Sequence, residues 1–205
     1  MRTHGQETQT FTAALDISVL LKDVLAQAEE ISLQAMNARA NVAKAGDRAR
    51  SIRPIVDYAE ELSADIVRLV ERIGARSMTM TRCSLEKFTN ELTVQHFRRA
   101  RMLGAEARHI ATIEPAVQGA DQRLDTLRRR LDVDIRDLGG LLDQIETILL
   151  AANIVVAKFH IEVEAGDPPN RSSFEALVKQ FENAVTAIRQ STARSKRHLR
   201  TMTGS

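Results

Sequence analysis

Apolar side chains recur at alternating spacings of three and four through most of the chain. The run is clearest in Val117, Ala120, Leu124, Leu127, Leu131, Leu138, Leu141, Ile145, Ile148, Ala152, Val155 and Phe159. On a helix of about 3.6 residues per turn such positions form one stripe, the seam through which coiled-coil helices pack. Only Asp134 stands where the stripe wants an apolar residue, and the adjacent Ile135 can rotate the seam locally without ending the helix. The same spacing joins Ile17, Leu21, Val24, Ala28, Ile31, Ala35, Ala38, Val42 and Ala45, which predicts a first helix over about residues 9–45.

Gly46-Asp47 ends that helix with the residue best able to take a positive φ, and Asp47 or Ser51 is placed to cap a new helix before Pro54. The second helix is expected over about 53–113, on a seam of Ile55, Ala59, Leu62, Ile66, Leu69 and Ile73. Register is lost across 74–82, where a bend is expected and Met78 and Met80 fill an irregular stretch of core. Leu85, Phe88 and Leu92 then restore the spacing. Glu114-Pro115 and the turn-like Gln118-Gly-Ala-Asp should close this helix, since proline disfavours a helical residue before it. A third helix is expected over about 117–165, with Gly139-Gly140 giving close helix packing or a bend. Loop composition at Gly166-Asp-Pro-Pro-Asn170 leads to a cap at Ser172 or Ser173 and a fourth helix over about 173–200.

Short connections force consecutive helices to lie side by side, so the expected fold is a single all-α domain over 1–205. It is an elongated, antiparallel, up-down-up-down four-helix bundle with coiled-coil packing. At about 1.5 Å rise per residue the helices are rods of roughly 45–90 Å. The first and third turns share one end and Pro115 marks the other, where the two middle helices either project or bend back. The halves echo each other: Leu20-Leu-Lys-Asp-Val precedes Val42-Ala-Lys-Ala-Gly-Asp much as Leu141-Leu-Asp-Gln-Ile precedes Val163-Glu-Ala-Gly-Asp. Either a duplication or shared helix-and-turn chemistry accounts for the echo.

Composition agrees with the periodicity. Of 205 residues, 43% are hydrophobic but only 3% aromatic, with no Trp, which excludes an all-β fold. A formal charge of +2 gives no overall attraction for nucleic acid or membrane, so any such site has to be local. Cys83 is the one cysteine and has no metal or redox spacing. The first ten residues lack the apolar core of a secretory signal, and no run approaches the roughly 20 apolar residues that span a bilayer. The expectation is a cytoplasmic protein without membrane insertion.

Residues 34–63 read Gln-Ala-Met-Asn-Ala-Arg-Ala-Asn-Val-Ala-Lys-Ala-Gly-Asp-Arg-Ala-Arg-Ser-Ile-Arg-Pro-Ile-Val-Asp-Tyr-Ala-Glu-Glu-Leu-Ser. This segment resembles the hairpin tip of the cytoplasmic signalling domain of methyl-accepting chemotaxis receptors. Asn37 falls on the family's tip asparagine, Lys44 on its arginine, Gly46 on its turn glycine, Asp47 on its acidic residue, Arg50 on its turn arginine and Ile52 on its phenylalanine. Asn41 stands in place of the family's glutamate and Pro54 in place of a valine. The resemblance implies a non-enzymatic interaction module for chemotaxis-like signal transduction, with a histidine kinase or its coupling adaptor as partner. Asn37, Lys44, Asp47, Arg50 and Ile52 are then the contact residues, Ile52 as a small apolar anchor. Because a receptor signalling dimer is a four-helix bundle of two hairpins, one chain here would mimic the whole dimer.

Other chemistry has less support. Glu106-Ala-Arg-His109 has the Glu-x-x-His spacing of a di-iron bundle but no second copy, and His160 with Glu164 supplies only two ligands. No phosphate-binding glycine loop or nucleophile elbow is present, and no cofactor or small-molecule substrate is expected. The basic clusters Arg98-Arg-Ala-Arg101, Arg128-Arg-Arg130 and Arg194–Arg200 are interspersed with carboxylates or lack aromatic stacking partners, so they read as solvated, salt-bridged faces and not as a nucleic-acid site. A structural or adaptor coiled coil without a signalling role and a metal-carrying bundle are the alternative readings, and the heptads also allow a homo-oligomer.

Overall fold

The computed structural model describes residues 2–104, 110–166 and 171–203. Four α-helices follow in order: α1 (Arg2–Ala45), α2 (Arg53–Leu103), α3 (Glu114–Gly166) and α4 (Arg171–Thr203), with one-turn 3-10 helices at Gly46–Ala49 and Ile110–Ile113. No strand occurs among the described residues. Each helix has two principal neighbours, in the cyclic order α1, α2, α3, α4, and the diagonal pairs barely touch. Contacts between neighbours run antiparallel. Ser18 meets Ser77 and Ser63 meets the Ala28 carbonyl; Arg76 meets Asp134 and Arg98 meets Asp121; His160 meets Glu182 and Lys196 meets Glu146. The α1–α2 and α3–α4 connections therefore share one end of the bundle, and α2 passes to α3 at the other.

Several local expectations need correcting. Residues 74–82 belong to one continuous helix, and the seam of α2 keeps its register across and beyond them through the buried Ser77, Met80, Cys83, Ser84, Glu91 and Val94. Leu85, Phe88 and Met78 instead lie on the exposed side, Met78 at 60%. α2 ends at Leu103, ten residues early, where the Gly104 N–H donates to the Ala100 carbonyl at 2.9 Å. Pro115 starts α3 rather than stopping α2, because its missing N–H is one that the first turn leaves unpaired anyway. Gln118 to Asp121 is accordingly helical. At the start of α2 the capping position is Ile52, with no side-chain cap, so neither Asp47 nor Ser51 serves, while Pro54 does sit in the first turn. Ser172 and Ser173 lie inside α4 and are not its cap. Glu106, His109 and Pro168-Pro169 lie outside the described residues.

α4 ends first. Leu199 packs on Gly139, so α4 closes close to the level of Asp134, and beyond it α2 and α3 continue paired through Cys83 with Leu127 and Arg101 with Glu114. Gly139 is a close-packing position, since a Cβ there would meet Leu199 Cδ2 at 3.3 Å, whereas Gly140 has open space above it. α3 also carries a window of mean hydropathy 1.5, which by length and composition is enough to cross a membrane, contrary to the sequence reading. Only 39% of that window is buried.

The echo between the halves extends to burial. At one constant offset, the buried positions of α1 recur as buried positions of α3: Ala13 with Asp134, Ile17 with Leu138, Val24 with Ile145, Ala28 with Leu149, Ala38 with Phe159 and Val42 with Val163. At an offset one residue longer, α2 recurs in α4: Ile52 with Phe174, Ala59 with Phe181, Ile66 with Ile188 and Ser77 with Leu199. The two hairpins thus bury equivalent faces with residues of different size, and where α1 carries Ala38 and α2 Ile52, α3 and α4 carry Phe159 and Phe174, whose rings pack together with centroids 6.4 Å apart.

Candidate functional site

The α1–α2 turn is built from its ends inward. Gly46 takes φ +61°, a conformation that costs a residue with a Cβ, and this ends α1. One 3-10 turn follows, in which the Arg50 N–H donates to the Asp47 carbonyl at 3.2 Å and the Ile52 N–H to the Ala49 carbonyl at 3.1 Å. Ala49 and Ile52 are both buried and fasten the turn onto the core. A cross-brace completes it: Arg39 of α1 reaches Asp57 at 2.6 Å and Glu60 at 2.7 Å on α2. The hydrogen bond with Asp57, then the charge of Glu60, holds the Arg39 guanidinium pKa above its ordinary value.

Four of the five expected contact residues face solvent together. Asn37 and Lys44 lie on the outer face of α1, and Asp47 and Arg50 on the turn. Their side chains have no hydrogen bond or ion pair among the described residues, so their polar groups are available to another molecule. Ile52 is the exception and a correction: it is 1% exposed, inside the core cluster, and cannot serve as an anchor for a partner. The sequence reading also missed the apolar part of this face. Leu33 and Met36 are 51% and 58% exposed, and with Ala40 they share the α1 face that carries Asn37 and Lys44. The signal was present in the spacing of 33, 37, 40 and 44, a second stripe beside the buried one.

Elsewhere the molecule offers grooves. One of 690 Å³ between α2 and α3 is lined by Arg72, Arg76, Arg136, Asp137 and Gly140, but Arg76 is already engaged by Asp134 and Asp137. In the two middle basic clusters Arg98 is likewise paired with Asp121, Arg101 with Glu114, and Arg128 with Glu91 and Asp125. Among the described residues no group of three or more His, Cys, Asp or Glu side chains could hold a metal ion. Cys83 is buried, its thiol donating to the Leu127 carbonyl at 3.6 Å, and burial foremost raises its pKa. Such a thiol is a poor nucleophile. What the turn can do is therefore bind, through a short apolar ridge edged by an amide, two cations and a carboxylate.

The chain matches no protein-family model, and neither the curated proteins nor the solved structures contain a match.

Proposed function

We propose that the chain is a non-enzymatic interaction module of the chemoreceptor signalling type, a single-chain counterpart of the receptor's two-hairpin bundle. Its partner is a histidine kinase or the coupling adaptor of one, and it works in the cytoplasm. The observation that carries this reading is the repeated burial pattern of two hairpins whose turns share one end of the bundle. Four of the residues that resemble the receptor tip, Asn37, Lys44, Asp47 and Arg50, are exposed at that end, and their side chains make no hydrogen bond or ion pair among the described residues. Asn37 and Arg50 supply oriented hydrogen bonds, Lys44 and Asp47 charge selectivity, and Leu33, Met36 and Ala40 the apolar area. Ile52 acts through the turn, holding Asp47 and Arg50 in place.

The test is affinity capture from cells with the tagged chain, comparing wild type with the Asn37→Ala/Arg50→Ala double variant at equal helicity and melting temperature. Recovery of a histidine kinase or adaptor by wild type and its loss in the variant is the expected result. Capture of neither protein class, or equal capture by both forms, overturns the reading.

A further inference from the structure

We infer that the groove between α2 and α3 is a binding site for a short polyphosphate chain. At 690 Å³ it has the size of a small-ligand site. The groove exists because the two helices line it with Ala75 and Gly140, both exposed and too small to close the gap, and nothing lies within 4 Å of where a Gly140 Cβ would point. Arg72 and Arg76 stand on the α2 wall, Arg136 and Gln144 on the α3 wall. Three guanidiniums thus meet two carboxylates, Asp134 and Asp137, and Arg76 holds both, at 3.2 and 3.1 Å. Arg72 makes no hydrogen bond or ion pair among the described residues, and Asp65, in the adjoining groove that Arg72 also borders, is paired with Arg68. Arg136 uses its Nε on the Asp132 carbonyl at 3.1 Å, and its two Nη groups have no partner among the described residues.

The placement of the two uncommitted arginines selects the ligand. α2 and α3 run antiparallel with Arg76 level with Asp134 and Asp137, so Arg72, one turn back, comes level with Leu141. Arg72 and Arg136 therefore stand about 8 Å apart along the bundle axis, on opposite walls and with Gly140 between them. A single phosphate engages one of them. A chain of three linked phosphates lies along the Gly140 floor and meets a guanidinium fork at each end, each fork binding two oxygens, and the Gln144 amide adds a donor at the Arg72 end. The lining holds one large apolar side chain, Leu141, and no aromatic ring among the described residues, so a base carried by the chain finds nothing to stack on. The site takes the phosphate chain itself, inorganic or as the tail of a nucleotide. It is independent of the turn reading, because α2 and α3 alone line it.

The experiment is isothermal titration calorimetry of the full chain at about 0.15 M salt with tripolyphosphate, ATP without magnesium, orthophosphate and citrate. Tripolyphosphate should bind once per chain with a Kd on the order of 10–500 µM. ATP should match it within about threefold, and orthophosphate and citrate should bind at least tenfold more weakly. The Arg72→Gln/Arg136→Gln variant should lose at least tenfold in affinity, and Gly140→Glu, which sets a carboxylate on the groove floor, should abolish binding. The control Arg123→Gln/Arg129→Gln removes the same charge from exposed α3 positions outside the groove and should bind as wild type does. All three variants change exposed positions and should keep the helicity of wild type. Absence of tripolyphosphate binding, an equal loss in the control, orthophosphate as tight as tripolyphosphate, or ATP tenfold tighter than either overturns the inference.

Discussion

Arg76 holds Asp134 from across the α2–α3 interface: its Nη1 lies 3.2 Å from Asp134 Oδ1 while its Nη2 reaches Asp137 at 3.1 Å. Asp134 is 4% exposed, on the seam near the level where α4 runs out, and its Oδ2 has no partner among the described residues. A buried carboxylate with one satisfied oxygen is retained at a cost that its one cation offsets. Removing Arg76 leaves the charge uncompensated, so Arg76→Ala should destabilise by about 1–3 kcal/mol, less than for a fully buried pair because Arg76 is half-exposed. Asp134→Val should instead be neutral or stabilising by about 1 kcal/mol, and in that background Arg76→Ala should cost almost nothing. Urea denaturation of the four proteins measures the cycle. An Asp134→Val variant less stable than Arg76→Ala would contradict this account.

The paired glycines of α3 should respond differently to alanine. Both are helical, and alanine in a helix interior is worth about 0.5–1 kcal/mol over glycine. Gly140 has open space where a Cβ would go, so Gly140→Ala should raise the melting temperature. At Gly139 the new methyl meets Leu199 Cδ2 at 3.3 Å, and the gain should be cancelled unless Leu199 is shortened. The comparison is therefore Gly139→Ala with and without Leu199→Val. Equal stabilisation at 139 and 140 in the wild-type background would show that α4 does not press on α3 there.

How legible the molecule was in its sequence depended on what each signal could separate. Helix existence followed from spacings of three and four, and Gly46 closed α1 as its freedom at positive φ requires. The seam of α2 past Ile73 was hidden because Ser77, Ser84 and Glu91 occupy it, and an apolar count skips small and charged residues that neighbours nonetheless bury. Pro115 was ambiguous in principle, since proline both ends one helix and suits the first turn of the next. Ile52 was placed by likeness to a receptor phenylalanine, whereas one 3-10 turn rotates its side chain inward. On α3, adjacent apolar pairs such as Leu149-Leu150 and Ile154-Val155 describe two stripes at once. Only the positions of α2 and α4 decide which one is core.

Lys196 makes the bundle alkali-sensitive. Its ammonium sits 2.7 Å from both Asp143 and Glu146, and those hydrogen bonds, Asp143 first, raise its pKa above the ordinary 10.5. A lysine whose pKa is higher folded than unfolded stabilises the protein fully below the unfolded value, and this contribution is lost as pH rises through the folded one. Wild type should therefore lose stability above pH 10.5 more steeply than Lys196→Met, and the two curves should converge at high pH. Near neutrality the variant should be less stable by about 0.5–1 kcal/mol. Parallel curves across the alkaline range would mean that the three groups do not interact in solution.

α4 carries hydroxyls where its counterpart carries hydrocarbon. Thr192 and Ser195 are fully buried at the positions that Val70 and Ile73 occupy in α2, and neither hydroxyl has a hydrogen-bond partner among the described residues. A buried donor left unpaired costs about 1–3 kcal/mol, and replacing it by an apolar group of the same shape recovers part of that. Thr192→Val keeps the volume and changes only this term, so it should stabilise the bundle by about 1 kcal/mol, read as a higher urea midpoint at constant slope. Ser195→Ala, which also removes volume, should gain less. If Thr192→Val instead lowers the midpoint, its hydroxyl is bonded in solution, and the α4 face is a satisfied polar layer with a different role from the hydrocarbon face of α2.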